Sequence, residues 1–201
     1  MTRHITLLLS VVVCLCASCQ GPPTPEDKAV QAIEALGGRV HRDETLPGRP
    51  VVKVDLTNTP VTDSELKDLK KLKDLQWLDL RHTRITDAGL KEIKGLKDLH
   101  LLYLGGTRIT DAGLKDLKEL KGLQRLDLQG TEITDAGLED LKEHKGLREL
   151  WLRGTQITDA GLKDLKELKD LQWLDLSYTQ ITDAGLKDLK QALPKTTIFG
   201  P

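Results

Sequence analysis

The order of apolar and polar residues repeats every 24 positions along most of this chain. The phrase Ile-Thr-Asp-Ala-Gly-Leu begins at five positions spaced by 24 residues, which are Ile85, Ile109, Ile133, Ile157 and Ile181. A looser copy, Val-Thr-Asp-Ser-Glu-Leu, begins one period earlier at Val61. A fixed period of this length predicts a solenoid, in which each repeat buries its apolar face only against its neighbours.

Each repeat combines two local patterns. Leu78 and Leu80 alternate with polar or aromatic residues, which predicts a short strand with both leucines facing inward. Residues 87–94 have apolar positions at helical spacing, and Thr86 precedes them as a candidate N-cap. Each repeat is therefore predicted to contribute one strand and one short helix.

The strand part carries the pattern L-x-x-L-x-L-x-x-(N/T)-x-(L/I), which resembles the signature of the leucine-rich repeat family. Residues 75–85 have this pattern, and it recurs in residues 99–109, 123–133, 147–157 and 171–181. The resemblance covers about 150 of the 201 residues. It implies an α/β fold, a right-handed leucine-rich-repeat solenoid (a horseshoe segment) with a parallel β-sheet on the concave face and short helices on the convex face.

A row of threonines occupies the place of this family's asparagine ladder. Its members are Thr59, Thr83, Thr107, Thr131, Thr155 and Thr179. We expect each hydroxyl to bond the backbone of its turn.

The pattern divides the chain into five segments. They are a signal peptide (1–18), a lipidated cysteine with a proline-rich tether (19–25), an N-terminal cap of one helix and a short strand (26–50), six repeats (51–193) and a C-terminal cap (194–201). Caps are expected because the end repeats of a solenoid lack one neighbour. At the C-terminal end, Ile198 and Phe199 are predicted to close the core.

Residues 1–19 have the layout of a bacterial export signal. Arg3 precedes an almost continuous apolar run, residues 5–16, which is too short to cross a bilayer as a helix. The sequence Ala17-Ser18-Cys19 resembles the end of a bacterial lipobox, although Cys16 stands where leucine is usual. The resemblance implies lipidation of Cys19 and a lipid-anchored protein of the cell envelope, on the periplasmic side or in the outer membrane. The alternative is an ordinary cleaved signal and a soluble secreted or periplasmic protein.

Composition narrows the function classes. The chain has 30 Lys and Arg against 31 Asp and Glu, interleaved along the sequence, so a nucleic-acid partner is not expected. All three cysteines lie in the first 19 residues, which leaves no thiolate for a metal site or disulfide in the exported part. No phosphate loop or nucleophile–base arrangement stands out. We expect no enzyme activity, no cofactor, no metal and a monomer.

The outward strand positions vary most between repeats, and all three tryptophans fall there. The predicted partner-binding residues on the concave face are Trp77, Asp79, Arg81, Tyr103, Arg125, Asp127, Gln129, Trp151, Arg153, Trp173 and Asp175. Trp77 and Tyr103 are expected to form one aromatic pair on adjacent strands. Trp151 and Trp173 are expected to form a second pair, and the polar strand with Arg125 is expected to run between the two pairs. Alternatively, the rings only pack across the sheet and stabilise it.

These observations predict a non-catalytic binding module for another envelope protein, a peptide or a glycan. Two alternatives remain: a structural spacer without a ligand, or a glycan-active enzyme that uses Asp55 and Asp79 on adjacent strands. We expect Lys53 and Arg81 to neutralise these two carboxylates. His144 replaces a repeated leucine and is predicted to be a tolerated edge residue rather than a ligand.

Overall fold

The computed structural model of the protein describes residues 22–200. The predicted signal peptide, Cys19 and the first part of the tether lie outside these residues. Within them the chain forms a single sheet of eight strands whose spatial order is the sequence order. The first two strands are antiparallel and every later neighbour is parallel. In residues 22–200 there is no helix with the length and apolar character that crossing a membrane requires.

Strands and helical segments alternate along the repeats. The strands are β1 (Arg39–Arg42), β2 (Val51–Asp55), β3 (Trp77–Asp79), β4 (Leu101–Tyr103), β5 (Arg125–Asp127), β6 (Glu149–Trp151), β7 (Trp173–Asp175) and β8 (Thr197–Phe199). The helices are α1 (Pro25–Ala35), α2 (Asp87–Ile93), α3 (Asp111–Leu117), α4 (Asp135–Leu141), α5 (Leu162–Leu165) and α6 (Asp183–Ala192), with 3₁₀ helices at Glu65–Lys71 and Asp159–Gly161. This architecture confirms the predicted leucine-rich-repeat solenoid.

Equivalent positions of successive repeats are direct neighbours in the sheet. Leu78 pairs in register with Leu102, and the same register continues to Leu174 and Ile198. The inward leucines form one core from α1 to β8, and Leu78 is completely buried. Burying such a side chain contributes about 1.5–3 kcal/mol, most of which is offset by the entropy of ordering the chain.

The threonine row forms the predicted hydrogen bonds. The Thr83 hydroxyl donates to the carbonyl oxygen of Leu80 at 2.6 Å. The same bond recurs at the other five threonines, Thr59, Thr107, Thr131, Thr155 and Thr179. Each bond closes the turn after a strand, which confirms a structural role for this row.

A second ladder, which the sequence reading did not predict, joins successive repeats. Thr86 donates its backbone N–H to Oδ1 of Asp63 at 2.8 Å and its hydroxyl to Oδ2 at 2.6 Å. The same threonine caps α2 by accepting from the N–H of Ala88. A Cβ at Gly89 would lie 2.5 Å from the Asp63 carboxylate. The threonine, aspartate and glycine of the repeated phrase therefore act together to connect each repeat to the next.

The two ends of the solenoid are built differently. At the N-terminal end, Arg42 on β1 pairs with Glu26 of α1 at 2.5 Å. At the C-terminal end, Ile198 covers the core beside Leu174. The prediction that Phe199 closes the core is wrong, because it is 41% exposed. Successive residues of a strand face opposite sides, so burying Ile198 turns Phe199 outward.

Candidate binding surface

Three aromatic side chains form a continuous row on the outward face of the strands. The ring centroids of Trp77 and Tyr103 are 5.6 Å apart, and those of Tyr103 and Trp151 are 6.3 Å apart. Both separations lie in the range for favourable aromatic pairs. All three rings remain partly exposed. We call Trp77, Tyr103 and Trp151 the aromatic row.

The predicted pair of Trp77 and Tyr103 is confirmed, but the predicted second pair is wrong, because Trp151 contacts Tyr103 rather than Trp173. Tyr103 lies on β4 and Trp151 on β6, so their contact spans β5. It can do so because the β5 residue between them is Asp127, which is short and buried. Trp173 stacks instead on Phe199, with ring centroids 4.5 Å apart.

Two cations lie over the first half of the aromatic row. The Lys53 ammonium is 3.8 Å from the centroid of the Trp77 ring, and the Arg81 guanidinium is 5.1 Å from that of Tyr103. Such contacts contribute about 0.5–1 kcal/mol each at exposed sites.

Two of the predicted contact residues, Asp79 and Asp127, are buried rather than exposed on the concave face, with 1% and 3% exposure. Each carboxylate turns back and accepts the backbone N–H two residues later. Oδ1 of Asp79 accepts from Arg81 at 3.0 Å, and Oδ1 of Asp127 accepts from Gln129 at 2.9 Å. This local hydrogen bond, typical of aspartate in turns, draws the side chain down to the backbone.

Asp55 and Asp79 are neighbours in register on β2 and β3, as predicted, but each has its own arginine. The Arg81 guanidinium donates hydrogen bonds to both oxygens of Asp79 at 2.5–3.0 Å. Asp55 pairs with Arg39 at 2.7 Å, whereas we expected Lys53. Burial opposes ionisation of Asp55, but hydrogen bonds from Thr57 and Arg39 outweigh it and hold its pKa below the usual range.

Asp127 has no such arginine, because Gln129 occupies the position that corresponds to Arg81 in its repeat. Burial raises the pKa of the Asp127 carboxyl, and hydrogen bonding from Gln129 and the charge of Arg81 offset only part of that rise. Asp127 is therefore a buried carboxylate without an ion-pair partner in residues 22–200.

A pocket of about 460 Å³ opens above Asp127, where the strands run into their turns. Its lining residues are Arg81, His82, Gly105, Gly106, Asp127, Gln129, Gly130, Arg153, Gly154 and Tyr178. Four of them, Arg81, Asp127, Gln129 and Arg153, were predicted site residues. The glycines, His82 and Tyr178 were missed, although the change from bulky residues to glycine between repeats is visible in the sequence.

The remaining predicted residues lie around these two features. Arg125 forms an ion pair with Glu149 at 2.9 Å. The Arg153 guanidinium lies 4.6 Å from the centroid of the Tyr178 ring. Trp173 is 38% exposed, and Asp175 accepts from the N–H of Ser177 at 2.9 Å, both beyond the pocket.

His144 is not the edge residue that the sequence reading predicted. It is 2% exposed and fills the place of a core leucine. Neither ring nitrogen has a hydrogen-bond partner among residues 22–200. Burial, with a smaller effect of the Lys121 charge, lowers the pKa of His144 to about 4.

No group of three or more His, Cys, Asp or Glu side chains in the described part of the chain is arranged to hold a metal ion. The polar groups of the surface are instead spread along the strands and the pocket.

Comparisons with known proteins agree with this architecture. A family model described as leucine rich repeat matches residues 73–133, and a second one matches residues 147–166 and 168–190. These matches show that the chain is a leucine-rich repeat protein. A search of the curated proteins finds no match.

Two solved structures are similar to this chain. One is an internalin from Listeria monocytogenes, with a TM-score of 0.58, 25% identity, and coverage of 66% of this chain and 36% of that one. The other is a leucine-rich repeat protein from Leptospira interrogans, with a TM-score of 0.53, 29% identity, and coverage of 66% and 33%. The chain thus matches about a third of the length of each structure. Leucine-rich repeat domains are typically non-catalytic and generally bind other proteins, which indicates a protein-interaction module.

Proposed function

We propose that the protein binds a protein partner of the bacterial cell envelope through the strand face that carries the aromatic row. The observation that supports this is the row itself, three partly exposed rings in continuous contact. Large aromatic residues and arginines dominate the binding energy of protein interfaces. Arg81 beside the row supplies a polar contact.

The competing explanation is that the rings only stabilise the sheet. Ring-to-ring contacts contribute about 0.5–1.5 kcal/mol beyond their burial, so some stabilisation is expected in either case. Stability alone therefore does not separate the two explanations. The separating measurement is partner capture by variants that remain folded.

A site-specific crosslinking experiment tests the proposal. A photoreactive benzoyl-phenylalanine at Arg125, which is exposed on the central strand, should form a defined adduct in intact cells. The same group at Lys115, which is exposed on α3, is the matched control on the helix face. Replacing Trp77 and Trp151 by alanine should abolish the adduct while circular dichroism shows an unchanged fold.

Equal adducts from both positions, or an adduct that survives the double alanine variant, would reject the aromatic row as the docking surface. In that case a structural spacer without a ligand would be the better description. Sedimentation of the purified protein checks the accompanying expectation of a monomer.

Attachment to the membrane through a lipidated Cys19 is the second part of the proposal. It is supported by the sequence alone, since Cys19 follows an apolar run and small residues. The segment 20–24 before α1 reaches at most about 18 Å when extended, so the solenoid would work close to the bilayer. Labelled palmitate should enter the wild type and not Cys19→Ala. Equal labelling of both proteins would contradict the anchor and favour a soluble exported protein.

A further inference from the structure

The pocket above β5 contains a buried carboxylate without a cation. Asp127 is 3% exposed, and its Oδ1 accepts the N–H of Gln129. No residue between 22 and 200 donates a hydrogen bond to its Oδ2, although this side chain lines the pocket. Oδ2 is accessible from the pocket, so it can accept a hydrogen bond from a ligand that carries a donor.

Gly105 keeps the space in front of this carboxylate open. The other five repeats have a larger residue here, namely Thr57, Arg81, Gln129, Arg153 and Ser177. The φ angle of Gly105 lies outside the left-handed region, so the backbone does not require glycine. A Cβ at this position would lie 3.1 Å and 3.2 Å from the two oxygens of Asp127. The glycine is therefore explained by the space it leaves beside Asp127, and the turn geometry does not require it.

The walls of the pocket stand at its two ends. His82 and Tyr178 occupy equivalent turn positions with φ angles of 56° and 58°, a region that non-glycine residues rarely adopt. Glycines fill the same position in the three repeats between them, at Gly106, Gly130 and Gly154. At this turn position there is therefore no side chain between the rings of His82 and Tyr178.

The charges around the pocket have both signs. Arg153 lies against Tyr178 and forms no ion pair within residues 22–200. Arg81 is held by Asp79 but still borders the pocket. A cationic ligand would be attracted by Asp127 but repelled by the two guanidinium groups. An anionic ligand would be attracted by the guanidinium groups but repelled by Asp127. A ligand rich in hydroxyl groups satisfies both, because each hydroxyl can donate and accept.

We propose that this pocket binds a neutral sugar ring, whose hydroxyls donate to Oδ2 of Asp127 and accept from Arg153 and Arg81. The cavity of about 460 Å³ falls within the range of small-ligand sites, roughly 300–1,000 Å³. This site goes beyond the proposed protein docking, and neither requires the other.

Nuclear magnetic resonance tests the site directly. The full chain, labelled with ¹⁵N, is titrated with millimolar methyl glucopyranoside, methyl galactopyranoside, methyl mannopyranoside and N-acetylglucosamine. At least one sugar should shift the amide signals of Gly105, Gly106, Gly130 and Gly154 in a saturable manner. The signals of Gly95 and Gly146, which lie outside the pocket lining, should stay in place.

Two variants identify the group responsible. Asp127→Asn retains an oxygen that can accept the Gln129 N–H but loses the charged acceptor, and it should weaken sugar binding at least tenfold, corresponding to about 1.4 kcal/mol. Asp175→Asn is the matched control, since Asp175 makes the same backbone hydrogen bond outside the pocket lining. Gly105→Ala should also weaken binding, by narrowing the approach to Asp127.

Three results would overturn the proposal. They are no shift of the pocket glycines with any of the four sugars, equal binding by the Asp127 and Asp175 variants, or shifts with N-acetylargininamide and none with the sugars. The last result would assign the pocket to a cationic side chain of a protein partner. A loss of crosslinking at Arg125 would leave these readouts unaffected, so failures of the two proposals are distinguishable.

Discussion

Single residues that depart from the repeat distinguish the pocket and one core position from the rest of the solenoid. Gly105 leaves space beside the buried Asp127 carboxylate, Gln129 leaves that carboxylate without an arginine, and His144 puts an imidazole into a leucine position. The first two belong to the pocket. His144 belongs to the core, where it has no hydrogen-bond partner within residues 22–200, so its consequence is for stability.

Replacing His144 by leucine should make the protein less sensitive to acid. The pKa of His144 is about 4 in the folded state against 6.5 for an unperturbed histidine, so between these values the unfolded chain binds the extra proton. Stability due to this residue is therefore present above pH 6.5 and is lost as the pH falls toward 4. At about pH 5 the loss is of the order of 2 kcal/mol, and it should be missing in His144→Leu.

Urea unfolding at about pH 7 and about pH 5 measures this difference. Replacing the exposed His41 by leucine is the control and should leave the wild-type pH dependence unchanged. The interpretation is wrong if His144→Leu loses as much stability between the two pH values as the wild type.

The aspartate–threonine ladder joins each helical element to the next one. Asp87 starts α2, and its carboxylate receives the backbone N–H and hydroxyl of Thr110, which caps α3. Gly113 lies within α3 directly beside that carboxylate. The first residue of a helix is thus also a contact between repeats, which explains why a glycine stands inside α2, α3, α4 and α6.

Gly113→Ala should therefore destabilise the protein, although helix propensity alone predicts a gain of about 1 kcal/mol. The new methyl group would displace Asp87 and weaken its two bonds to Thr110, for an expected loss of about 1–3 kcal/mol. Gly95→Ala is the control, because nothing lies within 4 Å of a Cβ there and its φ is not left-handed. It should be neutral or stabilising by up to about 1 kcal/mol.

Denaturant unfolding of the two variants decides between the explanations. A stabilised Gly113→Ala protein would show that propensity outweighs the ladder. A loss of similar size at Gly95 would show that the effect is not specific to the ladder.

The whole molecule behaves as a one-dimensional stack, because each strand pairs only with its neighbours in sequence. Stability in such a stack is approximately a sum of repeat and interface contributions. The caps matter for the same reason, since α1 and Ile198 cover core leucines that would otherwise face water.

Removing one complete period, residues 133–156, should give a shorter folded solenoid. The deletion brings Asp111 to Thr158 in place of Thr134, so the ladder can continue across the junction. Removing half a period, residues 133–144, offsets every later leucine and should abolish cooperative unfolding. Circular dichroism and urea unfolding compare the two proteins, with a smaller m-value expected for the shorter solenoid. Similar behaviour of both deletions would contradict a stack defined by its period.

The 24-residue period and the alternation around Leu78 and Leu80 were sufficient to predict the sheet, the core and the turn threonines, because these depend on inward positions that recur unchanged. The members of the aromatic row and part of the pocket lining could also be named from sequence. Their arrangement could not. The strand register predicts which residues are neighbours, but it does not predict which side chains extend away from the sheet and which fold back onto the backbone.

Only the tertiary structure decided that Asp127 folds down, that Tyr103 and Trp151 meet above it, and that Arg39 pairs with Asp55. Each outcome depends on side chains from several strands and turns settling together in one space. Local sequence determined where each chain segment lies, because apolar burial follows a simple periodicity. The packing of neighbouring side chains against one another determined which of them stay exposed on the strand face.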